Sequence, residues 1–168
     1  MAKNMTKTID GIEYEFQMPP FLEVAKIEDR IKDKFGVTLQ EKEYKEYMNH
    51  IIVVPSNLKY EDFKKDEETE KKIDVNGYNF KLVRPEPREL ARMQDASKHE
   101  GKLSNEKLYE QLMKHVIAEP EVSYDYFDEI GDTTLFREVM NEASKFCYDC
   151  HFIKVMKEAR NFFRGKED

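Results

Sequence analysis

The sequence predicts an α+β fold, mostly α-helical, with two pseudo-repeats that each run from a short β-hairpin into helices, plus a long C-terminal helix. Three observations carry this. A segment of fifteen residues occurs twice, at 41–55 and 106–120, with seven identical positions. Self-similarity at a fixed spacing marks a repeated structural unit. Asp10-Gly11 and Asn76-Gly77 each sit between apolar residues at the head of a copy. Such dipeptides tolerate the positive φ of a two-residue hairpin loop. Elsewhere apolar residues recur at spacings of three and four, the helical period.

Element by element, the first hairpin takes Ile9 and Ile12 around its turn and then alternates Tyr14 and Phe16. Pro19-Pro20 closes it, since proline cannot donate to a strand ladder. Val24, Ile27, Ile31 and Phe35 then form one helical face, with Gly36 as the stop. The repeated segment supplies a stronger stripe, Tyr44, Tyr47, Met48, Ile51 and Ile52, ended by Pro55. In the second copy Ile73, Tyr78 and Phe80 answer to Ile9, Tyr14 and Phe16, and Pro85 and Pro87 stop the hairpin. Leu90, Met93 and Ala96 give a weaker helix ending near Gly101. Tyr109, Leu112, Met113, Val116 and Ile117 repeat the core stripe before Pro120. After each proline an apolar residue, a tyrosine and a phenylalanine recur, as Leu58, Tyr60, Phe63 and as Val122, Tyr124, Phe127. From 134 to 163 the pattern stays helical, with Phe136, Val139, Ala143, Phe146, Cys150 and Ile153 alternating by three and four, and a shifted face from Met156 to Phe163.

The organisation predicted is a first module over 1–63, a charged linker over 64–72, a second module over 73–133 and a helical extension over 134–168. The C-terminal helix suits packing on the second module first, with self-association or partner binding through Phe136, Val139, Met140, Phe146, Ile153, Met156 and Phe163 as the alternative.

With 38% charged residues of both signs and a net charge of −7, the chain predicts a solvated, mildly acidic surface. That argues against nucleic acid, which calls for a basic patch. No apolar run reaches the roughly 20 residues of a membrane span, and the N-terminus has no apolar signal core. An intracellular chain is expected, and in a reducing compartment its two cysteines are not expected to pair.

Few residues point to chemistry. Cys147-Tyr148-Asp149-Cys150-His151 has the C-x-x-C-H spacing of covalent haem attachment but not the exported context, and Cys150 falls on an apolar helical stripe. A closed zinc site would need further ligands, from His50, His99 or His115, and no second paired motif supplies them. A redox pair would open a helix after a strand, whereas this one lies within a helical pattern. His50 and His115 recur at equivalent places near helix ends, where a cation complements the helix dipole. No phosphate-cradling loop, nucleophile elbow or H-E-x-x-H is present. No catalytic residue, cofactor or metal is predicted.

The twice-written Tyr-x-x-x-Met-x-His-[Ile/Val]-Ile-x-x-Pro, with its Tyr-x-x-Phe tail, resembles the tail assembly chaperones of long-tailed bacteriophages. The second copy carries the resemblance best, through Tyr109, Leu112, Met113, His115, Val116, Ile117, Pro120, Asp125 and Phe127, and the helix over 135–146 extends it. The family pattern is one module, this chain has two, and the segment beyond Cys147 has no counterpart there. The resemblance implies a non-enzymatic protein of the infected host's cytoplasm, absent from the mature virion. It implies the tape-measure protein as partner, kept soluble and extended until tail-tube subunits replace the chaperone. Tandem modules would add avidity. A minor tail or head–tail component of the virion, and an acidic regulatory module that binds a host protein, are the rival readings.

Overall fold

The computed structural model describes residues 3–63 and 68–165. The fold is α+β and mostly helical. Two compact units are present, Met1–Lys65 with His151–Asp168, and Asp66–Cys150. The second unit is thus inserted in the chain of the first, whose last helix follows the insertion.

In the first unit, β1 (Asn4–Ile9) and β2 (Ile12–Gln17) form an antiparallel hairpin. Asp10 and Gly11 turn it at φ of 49° and 80°, as a two-residue loop matching the strand twist requires. Next come α1 (Phe21–Arg30) and α2 (Gln40–Glu46), the latter running into a single π turn, Tyr47–Ile51. β3 (Ile52–Val54) pairs antiparallel with β2, and a 3₁₀ turn follows at Tyr60–Phe63.

The second unit repeats the plan. β4 (Glu70–Val75) and β5 (Tyr78–Val83) form the hairpin, and α3 (Pro87–Ala96) follows it. The minimal pair β6 (Lys98–His99) and β7 (Lys102–Leu103) leads to α4 (Asn105–His115), capped by the Ser104 hydroxyl. β8 (Ile117–Glu119) adds to β5, and α5 (Tyr124–Ile130) and α6 (Thr133–Tyr148) complete the unit. α7 (His151–Arg164) belongs to the first unit.

The extension expected over 134–168 is therefore two helices in two units, broken at Asp149 and Cys150. The reason is written in the chain. Phe-x-x-Val-Met-x-Glu-Ala-x-x-Phe occurs at 136–146 and again at 152–162, so α6 and α7 are copies of one closing helix. Of the expected linker, 64–67 lie outside the described residues, while 70–72 open β4.

Three further expectations are corrected. The equivalent turns set Tyr14 and Phe16 against Phe80 and Leu82, all buried, whereas Tyr78 is exposed. A slip of two residues keeps every side chain on its face, so alternation alone left that register open. Phe35 does not extend the α1 stripe, because the helix ends at Arg30 and Phe35 stands in a following turn. Pro55 and Pro120 do not end helices either. Short strands intervene, and both prolines follow cis peptide bonds.

Each core is closed by the same aromatic tetrad. Phe152 meets Tyr44 at 5.5 Å, Tyr60 at 5.7 Å and Phe63 at 5.1 Å between ring centroids. Phe136 meets Tyr109 at 5.3 Å, Tyr124 at 6.2 Å and Phe127 at 5.1 Å. The Tyr60 hydroxyl donates to the Glu41 carbonyl, and that of Tyr124 to the Glu106 carbonyl. Edge-on aromatic pairs of this kind add about 0.5–1.5 kcal/mol each beyond their burial.

Candidate protein-interaction site

Of the seven residues expected to meet a partner, Val139, Met140, Phe146 and Met156 are buried in the cores of their units. Phe136 and Phe163 are half-buried, packed on the aromatic tetrad of the second unit and on Tyr47 of the first. Ile153 is half-buried too. These residues are divided between α6 and α7, in different units. The periodic stripe that nominated them is the signal of core packing.

The cysteine–histidine cluster is also parted. Cys147 and Cys150 are buried thiols of the second unit, and burial pushes the Cys147 thiol well above its ordinary range. His151 belongs to the first unit, where both ring nitrogens are engaged: Nδ1 lies 3.0 Å from Asp10 Oδ2 and Nε2 lies 2.6 Å from the Tyr14 hydroxyl. Among the described residues no group of three or more His, Cys, Asp or Glu is placed to hold a metal ion.

Asp10, His151 and Tyr14 have the order of a catalytic relay, a carboxylate orienting an imidazole beside a hydroxyl. The hydroxyl's surroundings oppose that use. Tyr14 is 2% exposed, and burial, helped by the charge of Asp10, pushes its phenol up to about 12. A carboxylate only accepts, so Nδ1 carries the proton of that bond, and Nε2 shares a second hydrogen bond with the phenol. The arrangement fastens the start of α7 to the hairpin turn. Lys154, 3.3 Å from Asp10 Oδ1, adds a second tie. The second unit has Asn76, Phe80 and Leu135 at the three positions, and closes by apolar packing.

A buried charge pair fastens the other end of α7. Glu43, fully buried, accepts from Arg160 Nε at 2.6 Å and from the Tyr47 hydroxyl at 2.8 Å. The second unit has Leu108 and Ser144 there. Each repeated histidine lies near a glutamate on the first helix of its own unit, His50 Nε2 3.9 Å from Glu23 and His115 Nε2 3.6 Å from Glu89, and His50 is nearer still to Glu46 of α2, at 3.3 Å. These are fastenings within each module.

The large apolar side chains that the first unit exposes lie elsewhere. Phe21 is 87% exposed, Leu22 70% and Phe35 78%. Phe21 and Leu22 precede the fully buried Ile27 by six and five residues, so at about 100° per residue they fall on the far side of α1. Ala25 shares that exposed side. Phe35 is held outward by a local turn in which Asp33 Oδ1 accepts from the backbone N–H of Phe35 at 2.8 Å and of Val37 at 3.0 Å. The second unit has Pro87 and Arg88 where the first has Phe21 and Leu22. Phe21 and Leu22 were legible as apolar residues off the helical stripe directly after Pro19-Pro20. Phe35 was hidden because its spacing fits the stripe.

Among the described residues no helix is long and apolar enough to cross a membrane. Comparison of the chain with protein-family models, with curated proteins and with solved structures returns no match.

Proposed function

We propose that the chain is a phage tail assembly chaperone, which binds the tape-measure protein and keeps it soluble and extended while tail-tube subunits assemble. The observation that carries the proposal is the exposure of Phe21, Leu22 and Phe35 on a unit whose other large apolar side chains are mostly buried. Exposed large apolar side chains serve to cover apolar surface on another chain. Covering each is worth about 1.5–3 kcal/mol, and association itself costs several kcal/mol. The result is a contact strong enough to mask an apolar helical face and weak enough to yield to tube subunits. It requires no covalent step. The chain acts in the cytoplasm of the infected host and leaves before the particle is complete.

The test is co-expression with the tape-measure protein. The chain should co-purify with it, and the variant Phe21→Ser/Leu22→Ser/Phe35→Ser should fold with an unchanged melting temperature yet lose co-purification. Unchanged co-purification by the triple variant would remove this surface from the account. Recovery of the chain in purified particles at a fixed ratio to tail proteins would favour a structural virion component instead.

A further inference from the structure

The two aromatic tetrads differ in one respect. In the first unit Tyr44, Tyr60, Phe63 and Phe152 are all buried. In the second unit Phe127 is buried, but Tyr109, Tyr124 and Phe136 are only half-buried. They open into a cavity of about 510 Å³. The acidic residues Glu106, Asp128 and Asp132 are among those that line it, and no lysine or arginine is. Asp132 is partly engaged, accepting from the Leu135 N–H at 3.1 Å as the cap of α6. Glu106 and Asp128 are exposed.

We propose that this cavity takes an arginine or lysine side chain from a basic segment of a protein partner. Aromatic faces carry negative quadrupole potential and attract a cation within about 6 Å of the ring centroid. The acidic residues of the lining add direct charge pairing and turn away acidic segments. The first unit shows the same chemistry satisfied internally. The Arg160 guanidinium lies 5.7 Å from the Tyr44 centroid, with Nη2 3.5 Å from its hydroxyl. Tyr109 is the counterpart of Tyr44, and Ser144 stands in place of Arg160. The second unit has the corresponding rings and a serine in the place of that arginine. Burial, and then the charges of Glu110 and Glu106, hold the Tyr124 phenol above its ordinary range. Arginine fits best, since its planar guanidinium stacks on a ring while its N–H groups reach carboxylates.

The inference deepens the chaperone proposal by naming the partner's side-chain chemistry, and it rests on that proposal only for the partner being a protein. The probe is a fluorescently labelled alanine-rich peptide with arginines spaced by four residues, titrated against the full chain by anisotropy. Saturable binding is expected, weakened about tenfold in Glu106→Gln/Asp128→Asn, which removes the charge pairing and leaves the rings in place. Thr133→Lys, which places a cation at the cavity wall without removing a carboxylate, should weaken it as well. Absence of saturation would overturn the inference, as would equal binding of a leucine-for-arginine peptide, or unchanged affinity in both variants. No tape-measure protein enters this assay, so its failure leaves the chaperone proposal standing, and failed co-purification leaves the cavity assignment standing.

Discussion

His151, Tyr14 and Asp10 show how single residues distinguish two copies of one module. Hydrogen bonds from His151 and then Lys154 hold the Asp10 carboxyl below its usual range. A depressed carboxylate stabilises the fold above its unfolded pKa of 3.8 and loses that contribution as pH falls through the folded value. Asp10→Asn, the residue of the second unit, should therefore flatten the acid limb of a stability–pH profile below about pH 4. Tyr14 acts in the opposite sense. Its neutral form is favoured on folding, so the contribution is complete below pH 10 and is lost between pH 10 and about 12. Tyr14→Phe should remove that alkaline loss and cost about 1–3 kcal/mol at neutral pH, because His151 Nε2 would be buried without its partner. Chemical denaturation across pH measures both. A Tyr14→Phe protein as stable as the parent would show that the clasp contributes nothing. The buried pair admits a second test. Arg160→Ser should cost up to about 3 kcal/mol by leaving the buried Glu43 charge with only Arg164, 3.8 Å away, as its cation. Glu43→Leu/Arg160→Ser, the pair found in the second unit, should recover much of that loss in a double-mutant cycle.

Helices α6 and α7 decide the architecture, and they mark where the sequence was legible and where it was not. Both hairpins, the amphipathic helices and the repeat itself could be read, because turn chemistry and apolar period are local. The ownership of α7 could not be read from that period. Two sequential copies of a helix with the same stripe look like one long helix with a shifted face, and only tertiary packing assigns each to its core. The internal match between 136–146 and 152–162 was the available signal. The short strands β3 and β8 were missed because three residues between a helical stripe and a proline are too few to show alternation. Of the site residues drawn from the terminal stripe, Val139, Met140, Phe146 and Met156 lie buried in the cores for the same reason: period reports burial, not function. A truncation at Cys150 therefore has a specific consequence. It removes Phe152, Val155, Met156, Ala159 and Phe162 from the first core, all buried. At about 1.5–3 kcal/mol for each large side chain, the loss matches the whole stability of an ordinary domain. Hydrogen exchange should show protection collapsing over 1–65 and persisting over 68–148. Protection retained over 1–65 would contradict the assignment of α7.

At the scale of the whole chain, a nested duplication with divergent surfaces suits one protein that holds another at two places. The first unit exposes Phe21, Leu22 and Phe35, and the second opens an acid-lined aromatic cavity. Two modest contacts on one chain raise the effective concentration of the second once the first has formed, so disabling either surface should weaken holding while disabling both should abolish it. The net charge of −7 favours encounter with a basic partner and keeps the free chain soluble. The measurement that tests this account most directly is the fraction of tape-measure protein that stays soluble when expressed with and without this chain. The account predicts that the tape-measure protein aggregates alone and is recovered soluble, in complex, when the chain is present. Aggregation in both cases, with the chain alone in the soluble fraction, would contradict it.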